Sequence, residues 1–289
     1  MNAPTRLNLQ AGFVSGAILL LLLAIWHFAT LPAGAAAVTG LTAEQLEYQK
    51  LLGKDPGAGA AKTVGFPTLA QMGAAVVKNL ASPFYDNGPN DKGIGIQLGH
   101  SLLRVAFGFG IAALVAIPLG FVIGMSPLMY RALDPFIQVL KPISPLAWMP
   151  LALYTIKDSS ISGIFVIFIC SVWPMLLNTA FGVAGVRREW LNVAKTLEVT
   201  PLRTAFEVIL PAAAPTIVTG MRISMGIAWL VIVAAEMLVG GTGIGYFVWN
   251  EWNNLSLTNV IFAILVIGIV GMALDLAFAR LQKAISYVE

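Results

Sequence analysis

The chain has 289 residues, of which 58% are hydrophobic and only 11% are charged. A soluble domain carries about 25% charged residues, so this composition excludes a water-soluble globular protein and predicts an integral membrane protein. The net charge of +3 is too small to indicate nucleic acid binding. Cys170 is the single cysteine, which excludes an intrachain disulfide. Because we find no nucleophile–base pair, paired carboxylates, histidine cluster or phosphate-binding loop, we predict no catalytic, metal or cofactor site in this chain.

Six mostly apolar stretches are long enough to cross a membrane, which takes about 20 residues. Backbone polar groups in lipid must be satisfied within each segment, so we predict helices and an all-α, polytopic membrane bundle. A cleaved signal peptide is the alternative for the first stretch, but its apolar run is long and only Arg6 precedes it. The third stretch is interrupted by prolines at 142, 145 and 150. The predicted spans are residues 11–31, 101–125, 134–156, 160–184, 213–239 and 259–279.

Basic residues of the short loops favour one end of this bundle. Cytoplasmic loops are enriched in Lys and Arg, so we place that end and both termini in the cytoplasm, in a multi-pass protein of the inner (plasma) membrane. The chain then divides into an N-terminal transmembrane helix (1–31), a periplasmic segment with short helices (32–97) and a five-helix core (98–289). The basic residues on the predicted cytoplasmic side are Arg6, Arg131, Arg187, Arg188, Lys195, Arg203, Arg280 and Lys283.

Two short helices are predicted in the periplasmic segment. Thr42 and Gln45 match a capping box, and Gly53 would end the first helix. A second helix should begin after Pro67, and residues 82–97 are rich in turn formers.

Residues 189–210 form a predicted cytoplasmic helix pair. Apolar residues at 190, 193, 194 and 197, and again at 202, 205, 206 and 209, have helical spacing. Thr200 and Pro201 are typical of a helix start between the two helices. The pair is either a connector resting on the lipid surface or a docking element for a soluble partner.

This helix pair resembles the cytoplasmic loop motif of permease subunits in ABC importers, which reads Glu-Ala-Ala, three residues, Gly, nine residues, Ile, one residue and Leu-Pro. Asn192, Val193 and Ala194 occupy the first triplet, and Glu198 stands where the glycine is expected. A side chain at a glycine position implies a different turn or modest strain. The residues that the resemblance assigns to coupling with ATPases are Asn192, Val193, Ala194, Lys195, Glu198, Val208, Leu210 and Pro211.

The resemblance covers residues 65–289 and points to the nitrate, sulfonate and taurine branch of type I importers. PLAWMPLAL (145–153), MRISMGIAWLVIVAAEML (221–238) and GTGIGYFVWN (241–250) carry it, while PFYDNGPNDKGIG (83–95) and VAKTLEV (193–199) look most like nitrate-type members. It implies a homodimer of permeases in membrane lipid and a periplasmic or lipid-tethered binding protein. It also implies two ATPase subunits, identical or different, that hold Mg–ATP.

Ionisable groups inside a membrane cost about 2.5–3.5 kcal/mol each and are candidates for function. Arg222 and Glu236 are about 21 Å apart along one helix, share a face and cannot touch. Arg222 could instead anchor two helices by neutralising a carboxylate, Arg104 and Lys141 could reach lipid headgroups, and the tryptophans could pack helices. The residues predicted to line a translocation pathway are Arg222, Trp148, Trp173, Trp229 and Glu236.

The predicted function is the non-catalytic translocation subunit of an ATP-driven importer for a small oxyanion, with nitrate or nitrite as the expected substrate. Bicarbonate, cyanate and sulfonates such as taurine are the alternatives that the resemblance leaves open. A stand-alone secondary transporter or channel is the alternative of another class, and it would show an internal repeat with paired broken helices. A membrane enzyme would need catalytic side chains clustered at one depth, which the sequence does not show.

Overall fold

The computed structural model describes residues 3–30, 66–88 and 90–285. These ranges are almost entirely helical, and they contain no β-sheet, only an isolated bridge between Asp86 and Lys92. The helices are α1 (Ala3–Ala29), α2 (Leu69–Ala81), α3 (Ile94–Met125), α4 (Pro127–Leu140), α5 (Pro145–Ile156), α6 (Ser159–Ala184), α7 (Arg188–Thr196), α8 (Pro201–Thr204), α9 (Leu210–Val239), α10 (Ile244–Asn253) and α11 (Leu257–Ile285).

Contacts divide the chain into two compact units, Met1–Lys78 with Ser256–Phe262, and Asn79–Leu255 with Ala263–Glu289. In the first unit, the indole N–H of Trp26 in α1 donates to the Pro67 carbonyl at 2.8 Å, and its ring meets Phe66 edge to face. The helix expected after Pro67 is α2. Thr68 and Gln71 exchange the reciprocal bonds of a capping box at its start. The helix expected between Thr42 and Gly53 and the boundary at residue 31 lie outside the described residues.

In the second unit, α3 and α6 run parallel. A Cβ atom on Gly108, Gly120 or Gly124 of α3 would overlap Ile167, Thr179 or Val183 of α6, respectively. The contacting residue numbers rise together along both helices, as they must when two helices are parallel. These glycines let the two helix backbones approach closely, as expected for small residues between membrane helices.

The third predicted span, residues 134–156, is not one helix. It consists of α4 and α5, which meet at a bend of 91°. Pro142 follows the end of α4 and Pro145 begins α5, and both prolines lack the N–H that a continuous helix needs. Because α3 and α6 run parallel, the chain must return across the bundle between them. The bent pair is therefore a broken span, and the described part of the chain has six candidate crossings when the pair is counted as one.

The fifth span begins earlier than predicted, since helix continues from Pro201 to Val239 through α8, a π-helical turn at Ala205–Ile209 and α9. The predicted span begins at residue 213, just after Pro211, which cannot donate to a helical hydrogen bond. The wider π turn ends at Ile209, two residues before Pro211, and lets the helix accommodate this proline without ending. The helix pair predicted to be cytoplasmic therefore consists of α7 and the first two turns of a long helical rod. Gly182 and Gly220 place this rod antiparallel to α6.

Candidate functional site

A cavity of about 430 Å³ lies where the bend between α4 and α5 meets α6 and α9. The prolines of the bend leave this region without a continuous helix, and irregular backbone at membrane depth is tolerated where it lines a cavity. The cavity brings together Trp148 and Trp173, two of the five predicted pathway residues. Its lining includes Lys141, Trp148, Cys170, Trp173, Asn178 and Ile227.

The cavity has mostly apolar walls with a few hydrogen-bond donors. Lys141 is its one charged lining residue, and no carboxylate lines it. The Asn178 amide donates to the Pro174 carbonyl at 2.8 Å, which leaves its oxygen and a second N–H. From the sequence, lipid headgroups were one alternative for Lys141, and the cavity could not be foreseen because the bend that brings Lys141 to it is a tertiary feature.

Trp229 does not belong to this cavity. Its indole N–H donates to the Ile267 carbonyl of α11 at 3.0 Å, and the side chain is buried. A Cβ on Gly271 would also contact its ring at 3.2 Å. Trp229 therefore packs α9 against α11.

Arg222 forms a two-bond ion pair with Asp275 of α11. Nε and Nη2 each donate to one carboxylate oxygen at 2.6 Å. Gln282 adds a hydrogen bond of 2.8 Å to Thr219, one turn away on α9. This is the anchoring arrangement that the sequence left open for Arg222, and the small cleft around the pair is only about 40 Å³. Since the helix extends to Pro201, Arg222 is nearer the centre of the rod than of the predicted span.

Glu236 is the centre of a buried polar network with α3. Arg104 Nη1 donates to its Oε1 at 2.7 Å, and the Ser101 hydroxyl lies 2.8 and 2.9 Å from its two oxygens. Glu236 is 4% and Arg104 13% exposed. Arg104 also donates to the Thr242 carbonyl and to Ser160 Oγ, so it does not reach for headgroups as the sequence analysis suggested. The pair joins α3, α6 and α9 at one end of the bundle.

The same network holds the first turn of α10. The N–H of Gly243 donates to Gln97 Oε1 at 2.6 Å, that of Ile244 to Ser101 Oγ at 2.9 Å and that of Gly245 to Glu236 Oε2 at 3.0 Å. These bonds satisfy amides that a helix leaves unpaired at its start. Sequence reasoning missed Gln97 and Ser101. Their signal was the spacing 97, 101, 104, which puts three polar residues on one face of an apolar helix.

Glu198 ends α7 in a left-handed conformation, with φ of +50°. The N–H of Val199 donates to the Ala194 carbonyl and that of Glu198 to the Lys195 carbonyl, both at 3.0 Å. This pattern is a Schellman motif, whose left-handed position is usually glycine. Glu198 thus adopts the turn that a glycine would normally occupy. Of the two alternatives predicted from the sequence, a different turn or modest strain, the structure has the strained one.

The apolar stripes of α7 and α8 are mostly exposed. Ala194 and Ile209 are buried against the bundle, whereas the larger stripe residues are 43–74% exposed. A patch of this kind marks a surface for another protein or for membrane. Of the predicted coupling residues, Asn192, Val193, Lys195, Glu198 and Pro211 are exposed, Val208 and Leu210 half-buried. The exposed stripe residues, here named the apolar patch, are Trp190, Val193, Leu197, Leu202 and Phe206.

Comparison with known proteins identifies the class. Residues 116–287 match the family model described as "Binding-protein-dependent transport system inner membrane component", and the chain belongs to this family. It is 48% identical over 210 residues to the nitrate import permease protein NrtB of Synechocystis sp., covering 73% of this chain and 76% of the relative. It is 45% identical over 208 residues to the bicarbonate transport system permease protein CmpB of the same organism, covering 72% and 74%.

Among solved structures, the chain resembles one of the MetNI methionine ABC transporter in an inward-facing conformation. The TM-score is 0.59 at 14% identity, and the match covers 65% of this chain and 94% of the other. This likeness concerns the fold alone. It confirms the predicted type I permease architecture, and the relatives confirm the resemblance to the nitrate-type branch that was drawn from the sequence motifs. The roles of individual pathway and coupling residues stay predictions.

Proposed function

We propose that this chain is the translocation subunit of an ATP-driven importer whose substrate is nitrate. The observation that carries the choice of substrate is the 48% identity to a nitrate import permease over most of both chains. Bicarbonate is the second candidate, because a bicarbonate permease is 45% identical over nearly the same length. A stand-alone transporter is not favoured, because the family is one of binding-protein-dependent systems.

The apolar patch is the docking surface for the ATPase subunits in this proposal. The patch begins on α7 and continues onto the first turns of the rod Pro201–Val239, which is 39 residues and so about 58 Å long. Movement of the docked ATPases would therefore reach Ile227 in the cavity and Glu236 at the far end through one element. Mg–ATP is bound by those partners and not by this chain.

The remaining assembly follows from the family. Two copies of the chain form a homodimer, with two identical or different ATPases at the end that holds the patch and a periplasmic or lipid-tethered binding protein at the other. Both termini then face the cytoplasm, in agreement with the basic loops. Substrate moves because ATP and the loaded binding protein favour different conformations. Trp148 and Trp173 line the path, and Arg222, Trp229 and Glu236 hold the helices that change position.

Reconstitution tests the substrate. The permease, its ATPases and its binding protein in proteoliposomes should hydrolyse ATP and accumulate nitrate only when all components are present. Bicarbonate, nitrite and taurine are offered as competitors at equal ionic strength. If ATP turnover does not respond to nitrate but responds to bicarbonate, the second candidate replaces the first.

A charge reversal tests the docking surface. Lys195→Glu or Glu198→Lys, at the edge of the patch, should weaken co-purification of the ATPases and lower ATP turnover. Lys283→Glu, an exposed residue near the end of α11, is the matched control and should leave both unchanged. Unaltered attachment in all three variants would argue against docking at this edge of the patch.

A further inference from the structure

We propose that Lys141, Trp148 and Trp173 form an anion-binding station in the cavity at the bend between α4 and α5, which holds a weakly hydrated oxyanion in transit. The inference rests on the proposed function and names the residues through which it acts. Lys141 follows the last residue of α4, while Trp148 belongs to α5 and Trp173 to α6. The three residues line one cavity only because the span is bent by 91° at its prolines.

The hydrogen-bond donors of the station have no acceptor in the described part of the chain. Among the residues that the structure describes, no carboxylate pairs with Lys141, and neither cavity tryptophan has a partner for its indole N–H. Trp148 and Trp173 are half-buried, and an indole N–H that leaves water usually finds an acceptor. Trp229 shows the usual case, because its N–H is bonded to the Ile267 carbonyl.

Two arginines of the membrane helices are already neutralised by carboxylates. Arg104 is bound to Glu236, and Arg222 to Asp275. Each carries its counter-ion, so neither adds net positive charge for a passing anion. Lys141 does so, and it lies at a cavity without carboxylates.

The donors and acceptors of the lining favour nitrate over bicarbonate as the ligand. An ammonium and two indole N–H groups only donate, and the single side-chain oxygen in the lining is that of Asn178. Nitrate only accepts hydrogen bonds and loses its hydration easily, so it fits apolar walls with a few donors. Bicarbonate also carries an O–H, for which the lining offers only the Asn178 oxygen as an acceptor. A single lysine also avoids a deep trap, since conduction requires binding weak enough for release.

The experiment uses Cys170, the only cysteine of the chain, which lines the same cavity. The permease–ATPase complex without ATP and without binding protein is treated with a neutral maleimide, and the modified fraction of the permease subunit is followed with time. Nitrate should slow modification at least threefold relative to gluconate at equal ionic strength, and bicarbonate should slow it less.

The variants separate the station from general electrostatics. Lys141→Gln should abolish the protection by nitrate and lower nitrate uptake by the full assembly at least tenfold, while Lys141→Arg keeps at least half of the uptake. Trp173→Phe, which removes one N–H and keeps an aromatic ring, should weaken protection severalfold. Arg131→Gln is the matched control, because Arg131 is an α4 cation that lines a different cavity. It should behave like the unsubstituted chain.

Equal protection and equal uptake in Lys141→Gln and the unsubstituted chain would overturn the station. Loss of protection in Arg131→Gln to the same degree would also overturn it, since the effect would then be one of overall charge. Should Cys170 resist the maleimide in every condition, the uptake ratio between Lys141→Gln and Lys141→Arg decides alone. An assembly that hydrolyses ATP but carries no nitrate with any variant refutes the proposed function and not only the station.

Discussion

The buried ion pair between Arg104 and Glu236 offers a direct test of what holds one end of the bundle together. In Arg104→Met, the carboxylate of Glu236 keeps only the Ser101 hydroxyl and the Gly245 N–H as donors. In Glu236→Gln, the guanidinium keeps the Thr242 carbonyl and Ser160. Each single variant therefore leaves a charge with 4–13% exposure and no counter-ion.

The expected loss is large because both partners are buried. Removing one member of a buried ion pair costs about 3–5 kcal/mol. A change of 1 kcal/mol moves the melting temperature of a 150–250-residue domain by about 2–4 °C, so each single variant should melt roughly 6–20 °C lower. The double variant Arg104→Met/Glu236→Gln carries no charge and keeps an acceptor for the Gly245 N–H. It should recover at least half of the loss.

The assay is the temperature at which the detergent-purified complex loses its monodisperse peak in size-exclusion chromatography. Arg131→Met is the control, because Arg131 is an exposed cation without an ion pair among the described residues, and it should melt within about 2 °C of the parent. Additive losses in the double variant would mean that the two side chains do not stabilise each other. The network would then be a set of independent helix contacts.

Three further predictions concern other elements. Glu198→Gly should stabilise the end of α7 by about 1 kcal/mol because glycine adopts its φ of +50° without strain, whereas Glu198→Ala keeps the strain; hydrogen exchange at the α7 amides distinguishes the two. Gly120→Val should impair folding because its side chain would enter Thr179, while Gly110→Val, in open space, should be tolerated; the yield of monodisperse protein measures this. The Gly88 N–H and the Lys92 ammonium hold the pKa of Asp86 below its ordinary value of 3.8. The stability that this carboxylate gives its loop should therefore be present above pH 3.8 and be lost as pH falls through the lowered pKa. The rate of proteolysis of the loop should rise accordingly at low pH, and Asp86→Asn should remove this pH dependence.

The crossings could be predicted from the sequence because each rests on local composition. A run of about 20 apolar residues must form a helix in lipid whatever surrounds it. The prolines at 142 and 145 also announced a break, since the missing N–H groups are a local property. The size of the bend and its cavity depend on packing against α6 and α9. No window of sequence contains that information.

The polar network around Glu236 could not be predicted from the sequence. Glu236 and Arg104 are 132 positions apart, and nothing in the neighbourhood of either residue names the other. The spacing of Gln97, Ser101 and Arg104 predicts a polar face on their helix. It does not predict which helix start this face would cap. The π turn before Pro211 was hidden for a related reason. Proline at that position predicts either a helix end or a widened turn, and only the surrounding bundle decides between them.

The roles of the three tryptophans and of the apolar patch also depend on tertiary contacts that the sequence does not show. In sequence, Trp148, Trp173 and Trp229 are equivalent aromatics at membrane depth, whereas the structure separates them by whether the indole N–H has a partner. Likewise, periodicity on α7 and α8 predicts a buried face but not the molecule that buries it. The bundle covers Ala194 and Ile209 and leaves Leu197 and Leu202 exposed. Groups whose bonding or burial stays incomplete within one chain are therefore where substrate and partners should bind: the anion at the station and the ATPases at the apolar patch.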